Sequence, residues 1–257
     1  MNLRLHGKVA LVTGASRGIG RAIVETLAAE GVHVIAVARS GEALADLVAG
    51  LPTPGLALAA DLRDDAAAGH VLDAALAAFG RLDLLINNAG ATVRGDFLTL
   101  DDAAWQDGFA LKFFGAMRLC RAAWPALRAA QGAIVNVVGI GGRTGSAEFT
   151  IGGAVNAALL NLTKALADRG VADGVRVNAV NPSAIATERL QTRVRSQARE
   201  HGIDETQAAQ EIATALRVAR FGTPQEIAAA VAFLASPLAA YCQGAVLDVD
   251  GGQTRTL

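Results

Sequence analysis

Val9-Ala10-Leu11-Val12-Thr13-Gly14-Ala15-Ser16-Arg17-Gly18-Ile19-Gly20 decides the fold. Four apolar residues in a row read as a strand buried on both faces, and glycines follow directly before a helical pattern from about Gly18 to Glu30. A strand that turns through glycines into a helix brings free backbone N–H groups and a positive dipole end to one point, where a phosphate can sit. Gly14, Ser16, Arg17, Gly18, Ile19 and Gly20 are therefore candidate phosphate-loop residues. The same glycines would also serve a tight strand-to-helix turn with no ligand.

The alternation continues outward from this stretch. Strands are expected at Val32 to Val37, Leu56 to Ala60, Leu82 to Ile86, Ala133 to Val138, Val175 to Val180 and Ala245 to Val249. Helices are expected between them, at about Glu42 to Ala49, Asp64 to Phe79, Asp101 to Arg121 and Ala154 to Asp168, with another opened by Pro224. Apolar strands separated by helices predict an α/β fold, a doubly wound parallel sheet of about seven strands with helices on both faces. At 257 residues, and about 150 per domain, the chain is read as one domain spanning 1–257. The polar helical segment 188–220 departs from the strand–helix beat and is a candidate lid over the strand ends.

Composition excludes several classes. Hydrophobic residues make up 52% and charged residues 18%, which supports a large core. Lys and Arg number 23 against 24 Asp and Glu, for a net charge of −1, so a uniform basic surface for nucleic acid is not expected. Cys120 and Cys242 cannot form a disulfide framework, and His6, His33, His70 and His201 lie apart, so no metal site is expected. The first residues carry no apolar signal core, and Ile227 to Cys242 is too short and too broken for a membrane span. A cytoplasmic protein without membrane attachment is the expectation.

Further segments carry a resemblance. The loop Thr13-Gly14-Ala15-Ser16-Arg17-Gly18-Ile19-Gly20, the pair Asp61-Leu62, the motif Asn87-Asn88-Ala89-Gly90, the segment Arg176 to Pro182, Thr187 and Asp250-Gly251-Gly252 together resemble the short-chain dehydrogenase/reductase family over nearly the whole chain. The resemblance implies a nicotinamide cofactor held by the glycine loop, Asp61, Leu62, Asn88, Ala89, Gly90, Pro182, Ile185 and Thr187. It also implies a homo-oligomer, a tetramer or dimer, built on the long helices and the C-terminal helix and strand.

The cofactor type follows from charge. A carboxylate at the end of the second strand would bond the ribose hydroxyls of NAD and repel a 2′-phosphate. Here Val37-Ala38 leads into Arg39 and Ser40, and Arg17 is a second cation. Two guanidiniums suit a dianionic phosphate, so NADP(H) is expected. The alternative leaves Arg39 as a solvated charge at a helix start.

The family's catalytic residues are asparagine, serine, tyrosine and lysine. Aligned on Asn136-Val137-Val138 and on Asn178, those positions fall at Lys112, Gly139, Gly152 and Asn156. None of the four groups is present, and a frame shifted to Phe149 and Gly153 supplies no hydroxyl either. Lys112 is a candidate acid/base or amine nucleophile, because partial burial lowers a lysine's pKa; it could equally reach solvent or pair with a carboxylate. Asn156 is a second candidate, and Glu148, near Arg143, Ser146 and Thr150, a third.

Gly139, Gly141, Gly142, Gly145, Gly152 and Gly153 leave this region bare of side chains, which predicts an enlarged pocket for a bulky ligand, or close packing of backbone. Arg189, Arg193, Arg195 and Arg199 on the lid segment read either as a solvated face or as an anion site. Three functions remain open. They are an NADP(H)-dependent oxidoreductase with a non-standard acid/base, a cofactor-binding protein without turnover (a sensor or partner subunit), and a non-redox lyase or isomerase using Lys112. The substrate is a small molecule of unknown identity.

Overall fold

A computed structural model describes residues 2–255; Met1, Thr256 and Leu257 lie outside them. Seven parallel strands form one sheet in the order β3-β2-β1-β4-β5-β6-β7. They are β1 (Val9–Thr13), β2 (His33–Ala38), β3 (Gly55–Ala59), β4 (Leu84–Asn87), β5 (Ala133–Val137), β6 (Arg176–Pro182) and β7 (Val246–Val249). Between them run α1 (Gly18–Ala29), α2 (Gly41–Ala49), α3 (Ala67–Phe79), α4 (Asp102–Phe109), α5 (Gly115–Ala130), α6 (Thr150–Asp173), α7 (Glu188–His201), α8 (Glu205–Leu216) and α9 (Pro224–Ala235).

The two sides of the sheet bury separate cores, and successive residues of β1 feed them alternately. Ala10 and Val12 join a cluster with α1 and α9, whereas Val9 and Leu11 join one with α3 and α5. That alternation is the period-2 geometry of a strand, with apolar residues on both faces because both are covered. The segment 188–220 has a small core of its own, in which Leu190, Val194 and Ala198 of α7 meet Ala208 and Ile212 of α8.

The expected single helix over 101–121 is corrected. It is α4, then a π-helical turn over Ala110–Phe114, then α5, which continues through Pro125 to Ala130. A proline removes one helical bond, but α5 keeps Leu119, Cys120, Ala123 and Leu127 buried against the core, and that packing outweighs the break. The π turn, of a kind frequent at functional sites, carries Lys112.

Strand order reverses between β1 and β4, and open α/β sheets bind ligands at the carboxyl ends of strands beside such a switch point. The glycine loop, Arg39, Asn88, Gly139 and Pro182 all lie at those ends.

Candidate active site

The glycine loop is held from three sides. Ala15 N donates to Val37 O of β2 at 3.1 Å. Thr13 Oγ1 accepts from the amides of Asn88 at 2.9 Å and Ala89 at 3.0 Å, and Asn88 Nδ2 donates to Thr13 O at 3.0 Å. Asn88 and Ala89 thus brace the loop against β4. Behind them Asn87 Nδ2 donates to Asn136 Oδ1 at 2.9 Å, and Asn136 Nδ2 to Thr163 Oγ1 at 2.8 Å, which ties β4, β5 and α6 in the buried interior.

Helix α1 packs so closely on this loop that a Cβ on Gly20 would lie 2.1 Å from Gly14 O and 2.6 Å from Asn88 Nδ2. Backbone cannot give way there. Gly20→Ala is expected to destabilise the protein by roughly 1–3 kcal/mol, the usual range for overpacking, read from urea unfolding midpoints.

Most of the expected cofactor residues gather at the carboxyl ends of the strands. A Cβ on Gly18 would come 3.3 Å from Thr187 Cγ2, so Thr187 lies directly against the glycine loop. Ile185 and Pro182 are buried just before it, and Leu62 packs against the start of α5. Asp61 is exposed and paired with Arg63 at 3.3 Å. Arg63 also bonds Asp107, and that bond first, with the charges of Arg63 and Arg39 added, holds the Asp107 carboxyl below the usual range. Arg39 and Ser40 are exposed at the end of β2. Arg17 is also exposed, but it pairs with Glu188 at the start of α7 at 2.7 Å. Of the two phosphate candidates, Arg17 is thus paired within the protein, whereas Arg39 has no ion-pair partner among the described residues.

Arg17 caps α1 without a side-chain hydrogen bond, and the first turn of α1 holds no acidic residue. No side chain therefore competes for the first N–H groups of α1, as a bound pyrophosphate requires.

Lys112 stands between the ends of β4 and β5. Its Nζ donates to Val138 O at the end of β5, and its Cδ would lie 2.8 Å from a Cβ on Gly90. The side chain is half-buried, and the protein around the ammonium, helped by the charge of Arg189, pulls its pKa down to about 7. It forms no ion pair with a carboxylate among the described residues. Arg189 itself reaches from α7 to Gly90 O at 2.8 Å.

Beyond Lys112 the backbone turns at Gly139, whose φ of +133° only glycine adopts without strain. Gly139 N donates to buried Asn181 Oδ1 at 3.1 Å, and Asn181 Nδ2 to Asp248 at 3.0 Å. Asn156 is buried beside this turn; a Cβ on Gly139 would lie 3.0 Å from its Nδ2, and its Oδ1 is a buried acceptor with no partner.

Of the two readings of the bare glycines, close approach is the one the structure supports, not an enlarged pocket. A Cβ on Gly152 would lie 2.0 Å from Cζ of Phe149, and one on Gly141 2.9 Å from Cε1 of the same ring. The phenylalanine fills the space that a side chain at position 152 would take, and the glycines make room for it. Arg94, from the loop after β4, lies over the face of that ring, 4.5 Å from its centroid. Glu148 is exposed; its main-chain oxygen accepts from Gly95 N at 3.2 Å, and its carboxylate acts on Arg94 through charge, not on Lys112.

A seven-stranded sheet with a glycine phosphate loop at its switch point defines a dinucleotide-binding α/β protein. A family profile described as enoyl-(acyl carrier protein) reductase matches residues 14–254. The chain belongs to the short-chain dehydrogenase/reductase family. It is 38% identical to the 3-oxoacyl-[acyl-carrier-protein] reductase of Escherichia coli K12, covering 97% of this chain and 98% of that one. It is 35% identical to the D-threitol dehydrogenase of Mycolicibacterium smegmatis, covering 98% and 95%. L-sorbose reductase from Gluconobacter frateurii, solved with NADPH and L-sorbose, superposes over 100% of both chains with a TM-score of 0.96 at 32% identity. Among the described residues no helix is long and apolar enough to cross a membrane, and no group of His, Cys, Asp and Glu could hold a metal ion.

Proposed function

We propose that this chain is an NADP(H)-dependent oxidoreductase acting at a carbonyl–alcohol carbon, with Lys112 as its general acid/base. One observation carries the reading: a lysine with a pKa near 7 sits between Gly90 and Val138, beside the position the family gives to its serine. Proton transfer is most effective when the group's pKa lies near the working pH, and Lys112 meets that condition without a tyrosine.

The residues present fit the cofactor. The free amides at the start of α1 suit a pyrophosphate. Arg39, with no carboxylate at the end of β2, suits a 2′-phosphate. The unpartnered, buried Oδ1 of Asn156 is an acceptor for a ribose hydroxyl, where the family's lysine would donate. The NADPH bound to L-sorbose reductase supports the same choice of cofactor. When bound, a reduced nicotinamide supplies the hydride that the substrate's carbonyl carbon accepts.

Lys112 then has one task, delivering its proton to the oxygen that becomes the hydroxyl and regaining it from solvent. In the oxidative direction the neutral amine takes that proton. Arg189, held on Gly90 O, keeps a positive charge beside Lys112 and helps hold its pKa low. Exposed Leu238, Tyr241 and Leu247 near β7 support assembly of identical chains, which sedimentation would measure.

Titration with NADPH and NADH, followed by nucleotide fluorescence, tests the cofactor. NADPH is expected to bind at least about tenfold tighter, one charge-assisted bond's worth. Arg39→Asp should remove that preference. Arg17→Gln should have a smaller effect, since Arg17 is shared with Glu188 in an exposed pair. Equal affinities in the parent protein would reject NADP(H) selectivity.

A further inference from the structure

The mouth of the site holds two cations that form no ion pair with a carboxylate among the described residues. Arg94 is fixed over the Phe149 ring, and that ring fills the place of the family's tyrosine. Across the mouth stands α7, whose Arg193 lies one turn beyond Arg189, on the same stripe of the helix. The two guanidiniums feel each other. The protein around Arg94 first, and then the charge of Arg193, lowers the Arg94 pKa, against a contribution from Glu148 in the other direction.

Several other arginines of this chain are neutralised by carboxylates. Arg63 pairs with Asp61 and Asp107, Arg143 with Asp248, and Arg220 with Glu226. Among the described residues, neither Arg94 nor Arg193 has an ion-pair partner, and neither guanidinium donates a hydrogen bond to the protein. The Glu148 carboxylate acts on Arg94 through charge without forming an ion pair.

Geometry then narrows the ligand. Stacking on Phe149 occupies one face of the Arg94 guanidinium and leaves its edge N–H groups free. A planar carboxylate accepts two parallel bonds from such an edge, and a second arginine completes the clamp. We propose that Arg94 and Arg193 anchor a carboxylate on the substrate, so that the protein acts on a keto or hydroxy acid. In naming the ligand a substrate, the inference rests on the Lys112 reading; the anion site itself does not.

The test is isothermal titration calorimetry on the full chain saturated with NADPH. Malonate and its uncharged counterpart malonamide serve as probes, with inorganic phosphate as a third. Malonate is expected to bind at least about tenfold tighter than malonamide. Arg94→Gln and Arg193→Gln should each weaken malonate by about tenfold, while Lys112→Met should change it by less than about twofold.

Equal binding of malonate and malonamide, or unchanged malonate binding in both arginine variants, overturns the anchor. Loss of malonate binding on adding NADPH overturns it too, because the anion would then be using the cofactor's phosphate site. Tighter binding of phosphate than of malonate through the same arginines overturns the carboxylate assignment. The Lys112 reading fails separately: malonate bound through Arg94 with reduction intact in Lys112→Met keeps the anchor and removes the acid/base.

Discussion

Lys112→Met is expected to lower kcat/KM for ketone reduction by about 10²–10⁴-fold, the usual contribution of a positioned acid/base. The sign of the pH dependence follows from the pKa of about 7. Reduction needs the ammonium form, so its rate should fall as pH rises through about 7. Alcohol oxidation needs the neutral amine and should rise over the same range. Methionine has no proton to give, so both profiles should flatten in the variant.

The same replacement should stabilise the fold. Between an ordinary 10.5 and about 7 the unfolded chain holds a proton on Lys112 that the folded chain does not. Parent stability therefore falls as pH drops through this window, and the penalty is complete below it. The size of the shift sets a ceiling of about 5 kcal/mol. Partial solvent access and the lost bond to Val138 reduce the expected gain to about 1–3 kcal/mol at neutral pH, shrinking toward pH 10. Urea unfolding at neutral and high pH measures it. A variant less stable at pH 7 and undiminished in activity would make Lys112 a structural hydrogen-bond donor. A loss of function accompanied by a gain of stability is the signature of a group kept for chemistry.

The scaffold was legible because its signals are local. Glycines after a buried apolar run, Pro224 at a helix start and apolar strands between helices each state their structure within a few residues. Lys112 was legible too, since spacing from Asn136 pointed to its position. The π turn that carries it was not, because one extra residue in a helical turn barely alters hydrophobic periodicity. Arg17 was read as a phosphate ligand, but its partner Glu188 lies 171 residues away and no local pattern announces it. Arg94 carries no sequence signal of any kind; only the placement of the loop after β4 brings it to Phe149. The bare glycines leave two readings open for the same reason. Small residues signal either space or close approach, and the ring that fills the space arrives from a turn three residues upstream.

Restoring the family's residues at those glycines is expected to fail, which separates a rebuilt site from a decayed one. In a decayed site the vacated positions would accept their old side chains. Here a tyrosine at 152 would begin with its Cβ 2.0 Å from Cζ and 2.2 Å from Cε2 of Phe149. The ring would have to leave, and the Arg94 stack would go with it. Serine at 139 would have to adopt a φ of +133° with its Cβ 3.0 Å from Asn156 Nδ2. Each change is expected to cost about 1–3 kcal/mol, one through overpacking and the other through backbone strain. Asn156→Lys adds an ammonium in a buried position. The triple variant Gly139→Ser, Gly152→Tyr, Asn156→Lys should therefore unfold at least several degrees below the parent and gain no reductase activity. Adding Phe149→Ala should recover part of the loss carried by Gly152→Tyr, because it removes the atoms the new side chain strikes, and should leave the Gly139→Ser strain in place. Differential scanning calorimetry on the parent, Gly139→Ser alone, the triple variant and the triple variant with Phe149→Ala reads both effects. A triple variant as stable as the parent would mean that Phe149 merely rests in an empty slot; a recovery confined to the tyrosine change would mean that the ring, and the arginine stacked on it, now form the wall of the site.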